Sequence, residues 1–143
     1  MEVIGRILRA EHLADARIRR VLRAEGLDRG GFDVLATLRR CGPPYRLTPT
    51  RLYQELMLTS GAITHRVDAL ARAGLVARVP GGSDRRSTLV GLTAEGKAVA
   101  DRAMAANLAC EAGMIACLPE ADREALAVLL KKLLHGIEPE EDQ

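Results

Sequence analysis

The sequence predicts a mainly α chain of winged helix-turn-helix architecture with N- and C-terminal dimerisation helices, in the order α-α-β-α-α-β-β-α-α. Three observations predict it. Apolar residues recur at a 3.6-residue period over both ends of the chain. In the middle, two short helical runs each open on a hydroxyl residue suited to capping and lie only a few residues apart. Directly after them come two β-type runs. With 143 residues, 48% apolar and 28% charged, the chain can close one hydrophobic core. It divides into a first dimerisation segment (1–30), a helix-turn-helix lobe with its wing (31–93) and a second dimerisation segment (94–143), all parts of one compact unit.

Ile4, Ile7, Leu8, Ala14, Ile18, Val21 and Leu22 fall near one side of a long first helix, which also carries Arg6, Arg9, Arg17, Arg19, Arg20 and Arg23. Gly26 and then Gly30-Gly31 stop it. A second helix runs from Phe32 to Arg40 on the apolar positions Val34, Leu35 and Leu38, and Gly42-Pro43-Pro44 ends it. Tyr45-Arg46-Leu47 reads as a short extended piece. Thr48-Pro49 sets a cap followed by proline at the first helical position, where the missing N–H has no intrahelical partner to lose; the helix continues through Leu52 and Leu56 and stops near Met57-Leu58.

Thr59 or Ser60 caps the fourth helix, in which Ile63, Val67 and Leu70 stand at i, i+4 and i+7 and Gly74 supplies a left-handed end. Val76 to Val79 and Thr88 to Leu92 form the wing, joined by the long tip Pro80-Gly81-Gly82-Ser83-Asp84-Arg85-Arg86-Ser87. Thr93 caps a fifth helix with Glu95 in its first turn and the stripe Val99, Ala103, Ala106, Cys110, Met114 and Cys117, ending at Leu118-Pro119. The last helix repeats Leu126, Leu129, Leu130, Leu133, Leu134 and Ile137 before an acidic end.

No apolar run approaches the roughly 20 residues that span a bilayer, and Arg6, Arg9 and His12 interrupt any signal-peptide core, so a soluble cytoplasmic protein without membrane contact is expected. The three cysteines, Cys41, Cys110 and Cys117, lack metal-ligand spacing and an even count, and neither cofactor nor metal is expected. Charge is unevenly placed: Lys+Arg against Asp+Glu is nine to six over residues 1–45, seven to three over 46–90 and five to ten over 91–143. A basic middle with an acidic end presents one face to a polyanion.

On the fourth helix the buried side leaves Gly61, His65, Asp68 and Arg72 outward, with Ser60, Thr64 and Arg66 at the margins. Small polar residues at a helix N-terminus allow close approach to a major groove about 12 Å wide, and the helix dipole favours a phosphate there. Arg85 and Arg86 on a glycine-rich tip are placed to reach a narrow minor groove, with Asp84 orienting one of them. Together these form a coherent pair of contacts to double-stranded DNA. The apolar surplus on the terminal helices, including Ile4, Ile7, Ile18, Val21 and the stripe from Leu126 to Ile137, exposes a patch of several hundred Å² on a monomer and predicts a homodimer.

The stretch from Leu58 to Arg78 (LTSGAITHRVDALARAGLVAR), the Ser83-Asp84-Arg85-Arg86 tip and the Leu92-Thr93-Ala94-Glu95-Gly96-Lys97 segment resemble the MarR family of bacterial transcription regulators. The resemblance covers nearly the whole chain. It implies a homodimer whose first, fifth and sixth helices interlock, with two recognition helices in successive major grooves of a pseudo-palindrome and wings in the flanking minor grooves. It puts Ser60, Gly61, Thr64, His65 and Arg66 on the recognition helix and Arg86 at the minor-groove position, beside Arg85. It further implies a repressor switched either by a small, anionic aromatic effector held between the dimerisation helices and the DNA-binding lobe, or by cysteine oxidation.

For the effector, His12, Arg17 and Arg39 are the cations that would face an anion, while aromatic lining is sparse: Phe32, Tyr45 and Tyr53 are the only aromatic residues. For the thiol switch, Cys110 and Cys117 stand about 10 Å apart along one helix face, too far for a disulfide within it, and read as buried and inert. Cys41 lies beside Arg40, a cation that would lower its pKa. His12, His65 and His135 stand in separate helical contexts, which argues against catalysis. The competing non-enzymatic readings are a winged-helix protein-interaction module without sequence-specific DNA binding and a thiol-based redox-sensing regulator.

Overall fold

The computed structural model describes residues 2–81 and 87–138. In chain order these form α1 (Glu2–Ala24), α2 (Arg29–Arg40), β1 (Arg46–Leu47), α3 (Pro49–Glu55), α4 (Ser60–Arg72), β2 (Val76–Pro80), β3 (Thr88–Leu92), α5 (Ala94–Ile115) and α6 (Glu120–Ile137). β3 is the middle strand of an antiparallel sheet ordered β1-β3-β2. Its register runs from Val76 opposite Leu92 to Pro80 opposite Thr88 on one side, and pairs Leu47 with Val90 on the other. The expected wing is therefore present as paired strands, with Pro80 drawn into β2, and residues 82–86 of its tip, including Asp84, Arg85 and Arg86, lie outside the described residues.

Local chemistry accounts for most boundaries. The side chains of Thr48, Thr59 and Thr93 each accept a hydrogen bond from the backbone N–H three residues on, in Arg51, Ala62 and Gly96, at 3.1, 3.2 and 2.9 Å. The second helix departs from expectation. Gly30-Gly31 do not break the chain but occupy the first turn of α2, because Asp28 accepts from the Gly31 N–H at 2.6 Å and caps the helix three residues early. First-turn N–H groups have no intrahelical acceptor, so glycine there forfeits little. At the other end, α5 stops at Ile115, short of the expected Leu118-Pro119.

α2 is the hub. Val34, Leu35, Ala36, Thr37 and Leu38 are all buried, so this helix is enclosed on every side at its centre rather than on one stripe. Around it pack Leu22 of α1, Leu52 of α3, Ile63, Val67 and Leu70 of α4, Val90 of β3 and Val99, Ala100 and Ala103 of α5. α1 and α5 lie against each other, and Arg102 donates to Glu25 across them at 3.1 Å. Arg39 of α2 donates to Asp101 of α5 at 2.6 Å, and its guanidinium lies 5.0 Å from the Tyr45 ring centre, to which the Lys97 ammonium also comes within 5.3 Å.

Ile18, expected in the surplus apolar surface, belongs to this core. The surface that remains is nonetheless extensive. Val3, Ile4, Leu8 and Leu13 of α1, Leu108 and Ile115 of α5, and Leu126, Val128, Leu129, Leu134 and Ile137 of α6 are exposed, and no described residue of α6 is buried. Among the described residues no helix is long and apolar enough to cross a membrane.

Candidate nucleic-acid interface

α4 is anchored by Ile63, Val67 and Leu70, each at most 5% exposed, so the opposite face must look outward. That face carries Ser60, Gly61, Thr64 and His65, all exposed at i, i+1, i+4 and i+5. Thr64 donates its hydroxyl to the Ser60 carbonyl at 2.9 Å, which leaves the hydroxyl oxygen's lone pairs outward. The Thr59 cap takes up the Ala62 N–H, and the remaining first-turn N–H groups stand at the positive end of the helix dipole, directed out of its N-terminus. The patch is narrow, polar and free of bulk at its start.

The structure brings four of the expected recognition residues together and sets the fifth apart. Arg66 is half-buried and lies across α2: a Cβ built on Gly30 would come within 2.7 Å of its Nε. It also bears on Asp33, whose carboxyl is pushed above the usual range by desolvation, opposed by Arg29, Arg66 and Arg40. Asp68, expected outward, accepts from Arg78 of β2 at 2.7 Å and so ties α4 to the first strand of the wing. Arg78 has no periodic signal that marks this role, since the pairing depends on how β2 folds back along α4.

Of the expected effector cations, His12 and Arg17 are exposed on α1, and Arg39 is engaged by Asp101 and Tyr45. A cleft of about 480 Å³ does open between α2 and α5, lined by Arg29, Phe32, Arg40, Met104, Leu108 and Asn107 among others. The Asn107 Oδ1 is buried and receives no hydrogen bond, while its Nδ2 donates to Glu111 at 2.8 Å.

The thiols differ from expectation. Burial pushes the Cys41 thiol up, against the lowering expected from Arg40, because the sulfur is partly desolvated against the Leu38 carbonyl, 3.0 Å away. Cys110 is half-buried and Cys117 is exposed in the single chain, where both were expected buried. Among the described residues no three His, Cys, Asp or Glu side chains converge as a metal site would require.

Known proteins share the family and the fold. A family model described as MarR family matches residues 25–87. The HTH-type transcriptional regulator PecS of Dickeya dadantii is 35% identical over 133 residues, covering 93% of this chain and 80% of PecS. The HTH-type transcriptional regulator PrsX of Escherichia coli is 30% identical over 127 residues, covering 89% and 76%. Among solved structures, a single-site mutant of E. coli MarR complexed with operator DNA superposes with a TM-score of 0.77 at 27% identity, over 92% of this chain and 93% of that one. Sco3205 of Streptomyces coelicolor, also in complex with DNA, shares the fold with a TM-score of 0.80 at 24% identity, over 99% and 89%. Sequence likeness over nine-tenths of the length, with a hydroxyl-capped α4 followed by the paired strands β2 and β3, places the chain in the MarR family of transcription regulators.

Proposed function

We propose that this chain is a homodimeric repressor that binds pseudo-palindromic double-stranded DNA, acts in the cytoplasm and has no catalytic activity of its own. The observation that carries the reading is the exposed Ser60-Gly61-Thr64-His65 face, held outward by Ile63, Val67 and Leu70. Ser60, Thr64 and His65 supply donors and acceptors to base edges or phosphates, and Gly61 lets the helix axis approach. Arg85 and Arg86 extend the contact to the minor groove, with Asp84 orienting.

Two-fold pairing follows from the apolar side chains stranded on α1, α5 and α6, which a second copy would cover. The same symmetry would set two recognition helices about one DNA turn apart, roughly 34 Å. The α2–α5 cleft is the effector site we favour: Arg29 and Arg40 suit an anion, Phe32, Met104 and Leu108 suit a ring, and the unpaired Asn107 Oδ1 suits a donor on the ligand.

The test is selection of bound duplexes from a random pool, repeated with small aromatic carboxylates. A two-fold motif released by one of them supports the reading in full. Arg86→Ala should weaken binding to the selected duplex and flatten its salt dependence by about two in slope per dimer, one phosphate contact for each wing. Salt-independent affinity for a protein, with no duplex bound at low salt, would overturn it.

A further inference from the structure

Three helices of this chain close with one hydrogen-bond pattern. After α1, the Gly26 N–H donates to Arg23 O and the Leu27 N–H to Leu22 O, both at 3.0 Å. After α4, Gly74 donates to Ala71 O and Leu75 to Leu70 O, again at 3.0 Å. After α3, Met57 donates to Gln54 O at 3.2 Å and Leu58 to Tyr53 O at 2.9 Å. This closure forces its first donor into the left-handed region, and the three φ values are 76°, 74° and 53°. Glycine adopts that conformation freely and asparagine at little cost, whereas a long apolar side chain is strained in it. Two of the three sites hold glycine; the one ahead of the recognition helix holds methionine.

Among the described residues no packing of the Met57 side chain offsets that strain. The Met57 side chain is 91% exposed, the only exposed large apolar side chain of the 31–93 lobe among the described residues, all others lying on α1, α5 or α6. Leu58 and Tyr53, the other members of the closure, are both packed against the core, whereas Met57 is not. A bulky, strained and fully solvated thioether thus stands two residues before Thr59, the cap of α4, at the end of the helix that presents Ser60, Gly61, Thr64 and His65.

We propose that Met57 is a specificity residue that packs on the 5-methyl group of a thymine at the edge of the major groove. The proposal rests on the DNA-binding reading above and extends it to a residue outside the helix. The thymine methyl is the apolar feature of the major-groove code, and a flexible, polarisable side chain suits it. Recognition helices meet base edges with their N-terminal residues, so the turn ahead of α4 travels into the groove mouth with them.

The experiment measures the affinity of the full chain and of Met57→Gly, Met57→Asn and Met57→Leu for a duplex obtained by selection. Met57→Gly and Met57→Asn should each weaken binding about tenfold per dimer, or 1.4 kcal/mol, while Met57→Leu stays within about twofold. Both weakened variants tolerate the left-handed turn, so they should melt no lower than the parent chain, which separates a lost contact from a lost fold. Deoxyuridine in place of the contacted thymidine should weaken the parent chain and leave Met57→Gly unchanged. Parent-like affinity in both the Gly and Asn variants overturns the proposal. Weakening that ignores the uridine exchange overturns the thymine assignment. A parent chain that binds no duplex defeats the underlying reading at an earlier and separately visible step.

Discussion

Replacing Gly96 by alanine sets two effects against each other, and the sign of the outcome tells which prevails. Gly96 lies in the first turn of α5, where helix propensity favours alanine by up to about 1 kcal/mol. The tertiary contact opposes it: a Cβ on Gly96 would be driven into the Leu75 carbonyl oxygen, with the Leu75 carbonyl carbon at 2.7 Å and its Cα at 3.1 Å. These are backbone atoms, so no side chain can rotate away, and the start of α5 would have to lift off the α4–β2 junction. That junction is held by Thr93, which accepts from the Gly96 N–H at 2.9 Å, donates its hydroxyl to the Gly74 carbonyl at 2.7 Å and donates its N–H to Leu75 O at 3.1 Å. Overpacking against rigid neighbours costs about 3 kcal/mol, to which any weakened cap adds. We expect a net loss of about 2 kcal/mol or more, read as a lower urea midpoint at unchanged slope and a melting temperature about 5 °C lower. An alanine variant as stable as the parent chain, or more so, would refute the close approach of Gly96 to the Leu75 backbone as the reason glycine stands there.

Further outcomes follow from the same structure. Leu129 on α6 is 62% exposed in the single chain, so Leu129→Glu should place two carboxylates in the proposed dimer interface and raise the dissociation constant at least about 100-fold. Sedimentation showing an unchanged dimer would remove α6 from that interface. Asp33 titrates above its ordinary 3.8 because burial disfavours its charged form. Its contribution to stability is therefore present below about 3.8 and lost as pH rises through the raised value, so the parent chain should lose stability relative to Asp33→Asn over that interval. Urea titrations at several pH values check this, and the opposite slope would mean that Arg29, Arg66 and Arg40 outweigh the desolvation.

Local chemistry alone determined much of this protein. Hydroxyl caps at Thr48, Thr59 and Thr93, the left-handed closure at Gly74 and the shift to β-type runs at Val76 all act within a few residues, so they were legible in the sequence. The outward face of α4 was legible too, because Ile63, Val67 and Leu70 settle which side is buried. Tertiary structure decided whatever depends on a distant neighbour. Gly30-Gly31 read as a break until Asp28 caps them into α2 and Arg66, thirty-odd residues on, fills the space above Gly30. Arg39 read as a free cation until Asp101 meets it from α5, and Cys41 read as activated until packing desolvates its sulfur. Periodicity reports which side of an element is apolar; it carries no information on which charge or backbone atom another element brings to that side, and burial and ion pairing are set there.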